Sequence, residues 1–131
     1  MRKYMVISSK DQRAFQLGLK LLKLSTHSRY RLVAIIMKSG RVISVGVNRE
    51  DAAPKGYTKE TRENLHLHAE IAACHGLSRK ETKNSTMYVI GKTKFNNWLL
   101  SKPCYLCYNW IKNMEIRRIV FNDRQGELHE V

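Results

Sequence analysis

Two short motifs constrain this chain more than anything else in it. One is His68-Ala69-Glu70; the other is Pro103-Cys104-Tyr105-Leu106-Cys107. They supply an imidazole and two thiols, a donor set suited to zinc, and a carboxylate that ligation does not need. A catalytic zinc takes three protein ligands and keeps one position for water, whose pKa it lowers toward neutrality. A spare Glu two residues from the His can then carry protons between water and a substrate. The fold must therefore bring residues 68 and 104 together.

Two other readings of the same residues stay open at this point. A structural zinc would want a fourth ligand, for which Cys74, His66 and His75 are the candidates. A CxxC can also be a redox pair, although here Pro103 directly precedes Cys104 and no second pair exists. The local sequence supports a site built on helices. Residues 67–74 are Ala-rich and free of Pro and Gly, which predicts a helix ending near Gly76. Pro103 suits the first turn of a second helix, from Cys104 to about Glu115. Cys104 and Cys107, three apart, share one face of it. Two helix N-termini would then converge on the metal, with dipoles that favour thiolate and hydroxide.

The rest of the chain reads as an alternation of elements. Ser9 followed by Gln12 has the form of a capping box, and Ala14, Leu17, Leu21 and Leu24 recur at helical spacing, predicting a first helix over about 10–25. The apolar run Leu32 to Met37 predicts a central strand buried on both faces. Ser39-Gly40 predicts a two-residue hairpin into Val42–Val47. Met87–Ile90 and Ile116–Phe121 read as strands three and four, separated by a loop over 92–102 and the second motif helix. This order predicts an α/β sandwich with a mixed sheet and right-handed crossovers. The turn residues 122–126, followed by Glu127-Leu128-His129-Glu130-Val131, predict a fifth strand antiparallel to the fourth.

On the two motifs, and on Gly46-Val47-Asn48-Arg49-Glu50-Asp51-Ala52, the chain resembles the cytidine deaminase superfamily, whose zinc signature the motifs match and whose G-x-N-x-E-x-A segment the third stretch resembles. The resemblance implies a three-layer α/β/α sandwich with a five-stranded mixed sheet, in one domain over residues 1–131. It implies His68, Cys104 and Cys107 as ligands of Zn2+, and Glu70 as the catalytic proton carrier. Asn48 and Glu50 would meet the sugar. The Ala69 backbone N–H would bind the cytosine carbonyl oxygen, and the Lys102 backbone carbonyl would accept from the amine. Trp98, with Phe95 and Tyr105, is the candidate for stacking on the base. A homo-oligomer is expected.

The pattern also departs from the nucleoside-deaminase branch, which commonly uses three thiolates, where this chain has His68 and two cysteines. Strand five antiparallel to four fits that branch and several toxin-like deaminases. The tRNA adenosine, deoxycytidylate and APOBEC-like branches insert a further helix. The His ligand, the Ser101-Lys102-Pro103-Cys104 lead-in and the short C-terminus resemble small viral and fungal deaminases.

Charge bears on the substrate. Twenty-four Lys and Arg against eleven Asp and Glu give +13, a balance that favours nucleic acid or phosphorylated partners. Lys55, Lys59, Arg62, Lys92, Lys94 and Lys102 lie on the two loops expected at the pocket mouth. Of three cysteines, two sit in the motif, so a disulfide framework is excluded and a reduced, cytoplasmic compartment fits. The first residues are too briefly apolar for a signal peptide, and no run reaches membrane-spanning length. The expected activity is zinc-dependent hydrolysis of the cytosine amine in cytidine, deoxycytidine or their nucleotides. The alternatives are cytosine (or, less favoured, adenine) in single-stranded DNA or RNA, and a nucleic-acid-binding protein with a structural zinc.

Overall fold

The computed structural model describes residues 7–27, 29–49 and 68–131. Its elements are α1 (Ser9–Leu21) with a 3-10 turn (Leu22–Leu24), β1 (Tyr30–Lys38), β2 (Arg41–Val47), α2 (Ala69–Cys74), α3 (Arg79–Thr82), β3 (Thr86–Thr93), α4 (Tyr105–Asn113), β4 (Arg118–Asn122) and β5 (Leu128–Glu130). The sheet order is β2-β1-β3-β4-β5. Only β3 and β4 pair in parallel; β5 is antiparallel to β4, as the turn residues predict.

β1 explains why the sheet is covered on both faces. Val33, Ala34, Ile35 and Ile36 are all fully buried, and side chains alternate across a strand. Ala34 and Ile36 join a cluster with Ala69, Ala73, Val89 and Ile111. Val33 and Ile35 join another with Ala14, Phe15, Tyr88 and Ile90. So α2 and α4 lie on one face and α1 on the other, giving three layers.

Two glycines set how closely the layers approach. A Cβ on Gly18 of α1 would lie 2.5 Å from Ile90 Cδ1, and one on Gly46 of β2 would lie 2.3 Å from the Ala73 backbone N. The second contact fixes where α2, and with it the first motif, can dock. Ser44 Oγ reinforces it by donating to the Ala73 carbonyl at 2.5 Å. The hairpin forms as predicted, with φ of 53° at Ser39 and 78° at Gly40, the pair of positive values a primed turn requires.

Several boundaries differ from the sequence reading, each for a physical reason. The N-cap of α1 is Ser8 with Asp11, one residue earlier than Ser9 with Gln12, because Asp11 is also held by Tyr88 and Arg118. β3 runs on to Thr93 because Gly91–Thr93 pair with Tyr30–Leu32. Pro103 precedes the N-cap Cys104 instead of sitting inside α4. That helix stops at Asn113 because Glu115 turns to a φ of 56°. The short α3 has no counterpart among the predicted elements, although Ser78 and Glu81 form a full capping box around it. No helix among the described residues is long and apolar enough to cross a membrane.

Candidate active site

His68 and Cys104 occupy equivalent positions. Each is the N-cap of its helix (α2 and α4), in extended backbone, and neither side chain caps its own helix. An N-cap side chain ordinarily turns back to the first free N–H groups. Here both lie instead beside Cys107, one turn into α4. His68 Nδ1 lies 3.1 Å from Cys107 Sγ and 3.7 Å from Cys104 Sγ. The three ligand atoms all fall within 4.8 Å of one another. A tetrahedral zinc, bonded at about 2.0 Å to nitrogen and about 2.3 Å to sulfur, holds such atoms roughly 3.6 Å apart. The donor set therefore fits zinc in chemistry and in spacing.

Electrostatics agree. The Cys104 thiol is drawn down to about 3 by hydrogen bonds with Cys107 and His68. Cys107 is pushed up by its bond to Cys104 and by burial. His68 is raised, chiefly by Cys104, against the pull of burial. Three groups thus compete for protons in one small volume, an arrangement in which a dication replaces protons well. Cys107 is buried and Cys104 exposed, so the cluster opens to solvent on one side.

The residues that could complete a structural site do not join. Cys74 is buried, its thiol pushed up to about 11 by burial. His75 is exposed just past the end of α2, and His66 lies outside the described residues. The cluster among the described residues therefore has three ligands. A second group, Asp123, Glu127 and His129, has the same spacing. Asp123 there holds the β4–β5 turn, accepting from the N–H groups of Gln125 and Glu127 and meeting His129 Nε2 at 2.7 Å.

Glu70, two residues into α2's first turn, is 5% exposed. Burial pushes its carboxyl above the ordinary range, against the lowering influence of its own backbone N–H, His68 and Cys107. Ala69, at the first helical position, is fully buried.

The remaining expected site residues divide. Asn48 is buried; its Oδ1 accepts from Ser25 Oγ at 2.6 Å and Leu32 N at 2.9 Å, and its Nδ2 donates to Tyr30 O at 2.7 Å. It therefore ties the end of β2 to β1 and to the segment after α1. Trp98 stacks on Phe15 at 5.4 Å and packs with the α1 layer, on the other side of the sheet from the motif helices. Lys102 is exposed between two held neighbours, buried Ser101 and buried Pro103. Glu50, Lys55, Lys59 and Arg62 lie outside the described residues.

The sequence reading missed what positions Cys104. Ser101 Oγ donates to Val89 O at 2.6 Å and accepts from Asn122 N at 2.9 Å, while Ser101 N donates to Asn122 O at 3.0 Å. The Asn122 amide completes the clasp: Oδ1 accepts from Gly91 N at 2.8 Å, and Nδ2 donates to Leu99 O at 2.8 Å. Both residues are buried, so the lead-in to Cys104 is locked across β3 and β4. The available signal was Asn122 itself, a polar residue following the apolar run Ile119–Phe121.

Comparison with known proteins fits this geometry. A family described as the cytidine and deoxycytidylate deaminase zinc-binding region matches residues 8–123. Cytidine deaminase from Burkholderia pseudomallei superposes with a TM-score of 0.63 at 17% identity, over 92% of this chain and 90% of that one. A dCMP deaminase from the cyanophage S-TIM5, solved with dCMP and dUMP, gives 0.62 at 18% identity, over 89% and 84%. RibD from Acinetobacter baumannii gives 0.57 at 20% identity, but this chain spans only 28% of its length. At these identities the likeness is one of fold. No curated protein matches the sequence significantly.

Proposed function

Since the chain belongs to the cytidine and deoxycytidylate deaminase family, we propose that it is a zinc-dependent hydrolase that converts cytosine to uracil in cytidine, deoxycytidine or their nucleotides. The observation that carries this reading is the convergence of His68, Cys104 and Cys107, without a fourth ligand among the described residues, beside a buried Glu70. Zinc held by these three supplies Lewis acidity, lowering the pKa of water toward neutrality.

The chain's own groups do the rest. The Glu70 carboxylate takes a proton from water and delivers it to ring N3, which makes C4 electrophilic. Oxygen adds to C4, Glu70 takes the proton of the resulting C4 hydroxyl and passes it to the exocyclic nitrogen, and the C4–N4 bond breaks to leave the C4 carbonyl and release ammonia. A carboxyl raised by burial is suited to this exchange, because its pKa moves toward the working pH. The Ala69 N–H, at the start of α2, is the donor for the base's carbonyl oxygen. The Lys102 carbonyl, fixed between Ser101 and Pro103, accepts from the amine. Asn48 and Glu50 serve the sugar, Asn48 through the amide proton left beyond its bond to Tyr30.

The test is ammonia release by the zinc-loaded protein from cytidine, deoxycytidine, dCMP, adenosine and guanine, paired with X-ray absorption at the zinc edge. One zinc per chain in a site of one nitrogen, two sulfurs and one light solvent atom, with turnover of a cytosine substrate, is the expected result. A fourth protein ligand, or no ammonia from any of these, overturns it.

A further inference from the structure

β2 runs toward the end of α2 that carries the first motif. Ser44 Oγ bonds the Ala73 carbonyl, and a Cβ on Gly46 would lie 2.5 Å from the Ala69 carbonyl oxygen, so two residues of β2 match one turn of α2. Asn48 comes two residues later, about 7 Å further along a strand's rise. That brings it level with the start of α2, where His68 and Glu70 stand.

The bonding capacity of the Asn48 amide can be counted in full. An amide offers two lone pairs and two hydrogens. Oδ1 accepts from Ser25 Oγ at 2.6 Å and from Leu32 N at 2.9 Å, which fills both lone pairs. Nδ2 gives one hydrogen to Tyr30 O at 2.7 Å, and the other meets no acceptor among the described residues. Leu32 N–H can face only an acceptor and Tyr30 O only a donor, which sets the orientation of the amide. Asn48 is buried, and a buried donor without a partner is costly. Asn48 therefore presents one N–H and no acceptor.

Ser25 is what removes the acceptor. It is buried at the end of the 3-10 turn after α1, its N–H on Leu22 O at 3.1 Å. Its hydroxyl oxygen accepts from His27 N at 3.2 Å. Its one hydrogen has two oxygens in reach, Asn48 Oδ1 at 2.6 Å and Asn48 O at 3.1 Å, and the shorter contact is the stronger bond. The end of β2 does not need this bond to stay on β1, because Asn48 N already donates to Leu32 O at 3.1 Å and the amide bonds both Leu32 and Tyr30. What the hydroxyl adds is a second donor on Oδ1, arriving from the α1 side, which brackets the amide and uses up its last lone pair.

We infer that Ser25 is a positioning residue that sets sugar specificity: acting through Asn48, it holds the amide as a pure donor toward one oxygen of the substrate's sugar. The inference rests on the deaminase reading for the presence of a sugar at Asn48, but its test is one of binding and needs no turnover.

The test is calorimetric titration of the zinc-loaded protein with uridine and its 2′-, 3′- and 5′-deoxy forms, product analogues that the reaction does not consume. Wild type should bind one deoxy form about two- to tenfold more weakly than uridine, the worth of one hydrogen bond, and that form identifies the oxygen Asn48 meets. In Ser25→Ala this ratio should fall by at least about half, while affinity for the form lacking that oxygen stays within about twofold of wild type. Ser25→Thr keeps the hydroxyl and should restore the ratio. Asn48→Ala should abolish it, and adding Ser25→Ala to that variant should change it no further, as expected of two residues acting through one contact. With a cytosine nucleoside the loss in Ser25→Ala should appear in KM and not in kcat.

Equal weakening of all four ligands by Ser25→Ala would make Ser25 a structural residue and overturn the inference. Failure of Ser25→Thr to restore the ratio, or a wild type that binds none of the four or does not tell them apart, would overturn it as well. Ammonia release from a cytosine substrate would leave the deaminase reading intact in each of these cases. Ser25-dependent discrimination without ammonia from any substrate would do the reverse.

Discussion

Asp11 and Glu70 are carboxylates at opposite ends of the same sheet, 1% and 5% exposed. Asp11 is surrounded by donors from its own chain. Tyr88 Oη donates to it at 2.5 Å, Arg118 bonds both oxygens at 2.8 and 3.0 Å, and the Ser8 N–H closes the helix cap. Arg118 in turn reaches Glu130 on β5. Glu70 has no arginine or lysine among the groups that shift it; its surroundings are its own backbone N–H, His68 and two cysteines. The same contrast holds for the helix starts. Ser8 caps α1 from both directions, whereas His68 and Cys104 leave the caps of α2 and α4 unmade. Polar groups satisfied within the chain stabilise the fold; those left with unused bonding capacity are available for chemistry. The cost of leaving them so falls on a short helix that Gly46 and Ser44 hold in place.

The contrast predicts that substitutions at the two ends will separate activity from stability. The largest effect should come from Glu70→Gln, which keeps shape and loses the proton carrier. Turnover should fall by about 10²–10⁴-fold, while zinc content and melting temperature stay close to wild type. A variant that is active but unstable would make Glu70 a structural residue like Asp11. The opposite outcome is expected for Asp11→Ala. It leaves Arg118, 20% exposed, with Glu130 as its remaining carboxylate and the Tyr88 hydroxyl without its acceptor, and should cost about 3 kcal/mol in denaturant unfolding with kcat unchanged in the folded fraction.

A smaller effect concerns acid. Burial alone would raise the Asp11 carboxyl, but hydrogen bonds from Arg118, Tyr88 and Ser8 prevail and hold it at about 2, below its ordinary 3.8. The folded state therefore binds this proton less readily than the unfolded chain. The resulting stabilisation is complete above about pH 5 and disappears as pH falls through the folded value near 2. Allowing for screening by water, it is worth about 1–2 kcal/mol. Unfolding measured across this window in wild type and Asp11→Asn should converge at the acid end. Parallel curves would show that Asp11 acts through packing alone.

The two ends also differ in how far they could be read from sequence. The gathering of His68, Cys104 and Cys107 was legible because ligation demands particular residue types at particular spacings, and helix periodicity places them. The hairpin at Ser39-Gly40 and the reversal into β5 were legible because turn chemistry is local. Asp11 was not: its partners lie 77 and 107 residues away, and the frame read as the cap, Ser9 with Gln12, starts one residue after the real one. Trp98 stood out in the sequence only as a loop aromatic; its stacking on the Phe15 ring of α1 depends on a contact distant in the chain. The start of α3 is marked by Ser78 and Glu81, but the four helical residues that follow are too few to carry a helical period.

The clasp of Ser101 and Asn122 has a consequence for how such a protein can diversify. The chain leaves β3 after Thr93 and returns at Leu99, whose N–H donates to Gly91 O at 3.1 Å. Everything between is a detour that closes on itself before the clasp. Residues can be added, removed or exchanged in that detour without changing where Cys104 lies, because Cys104 is located from Val89 and Asn122 and not from the loop's length. Selection can thus vary which molecules the detour greets while the chemistry behind it is inherited unaltered.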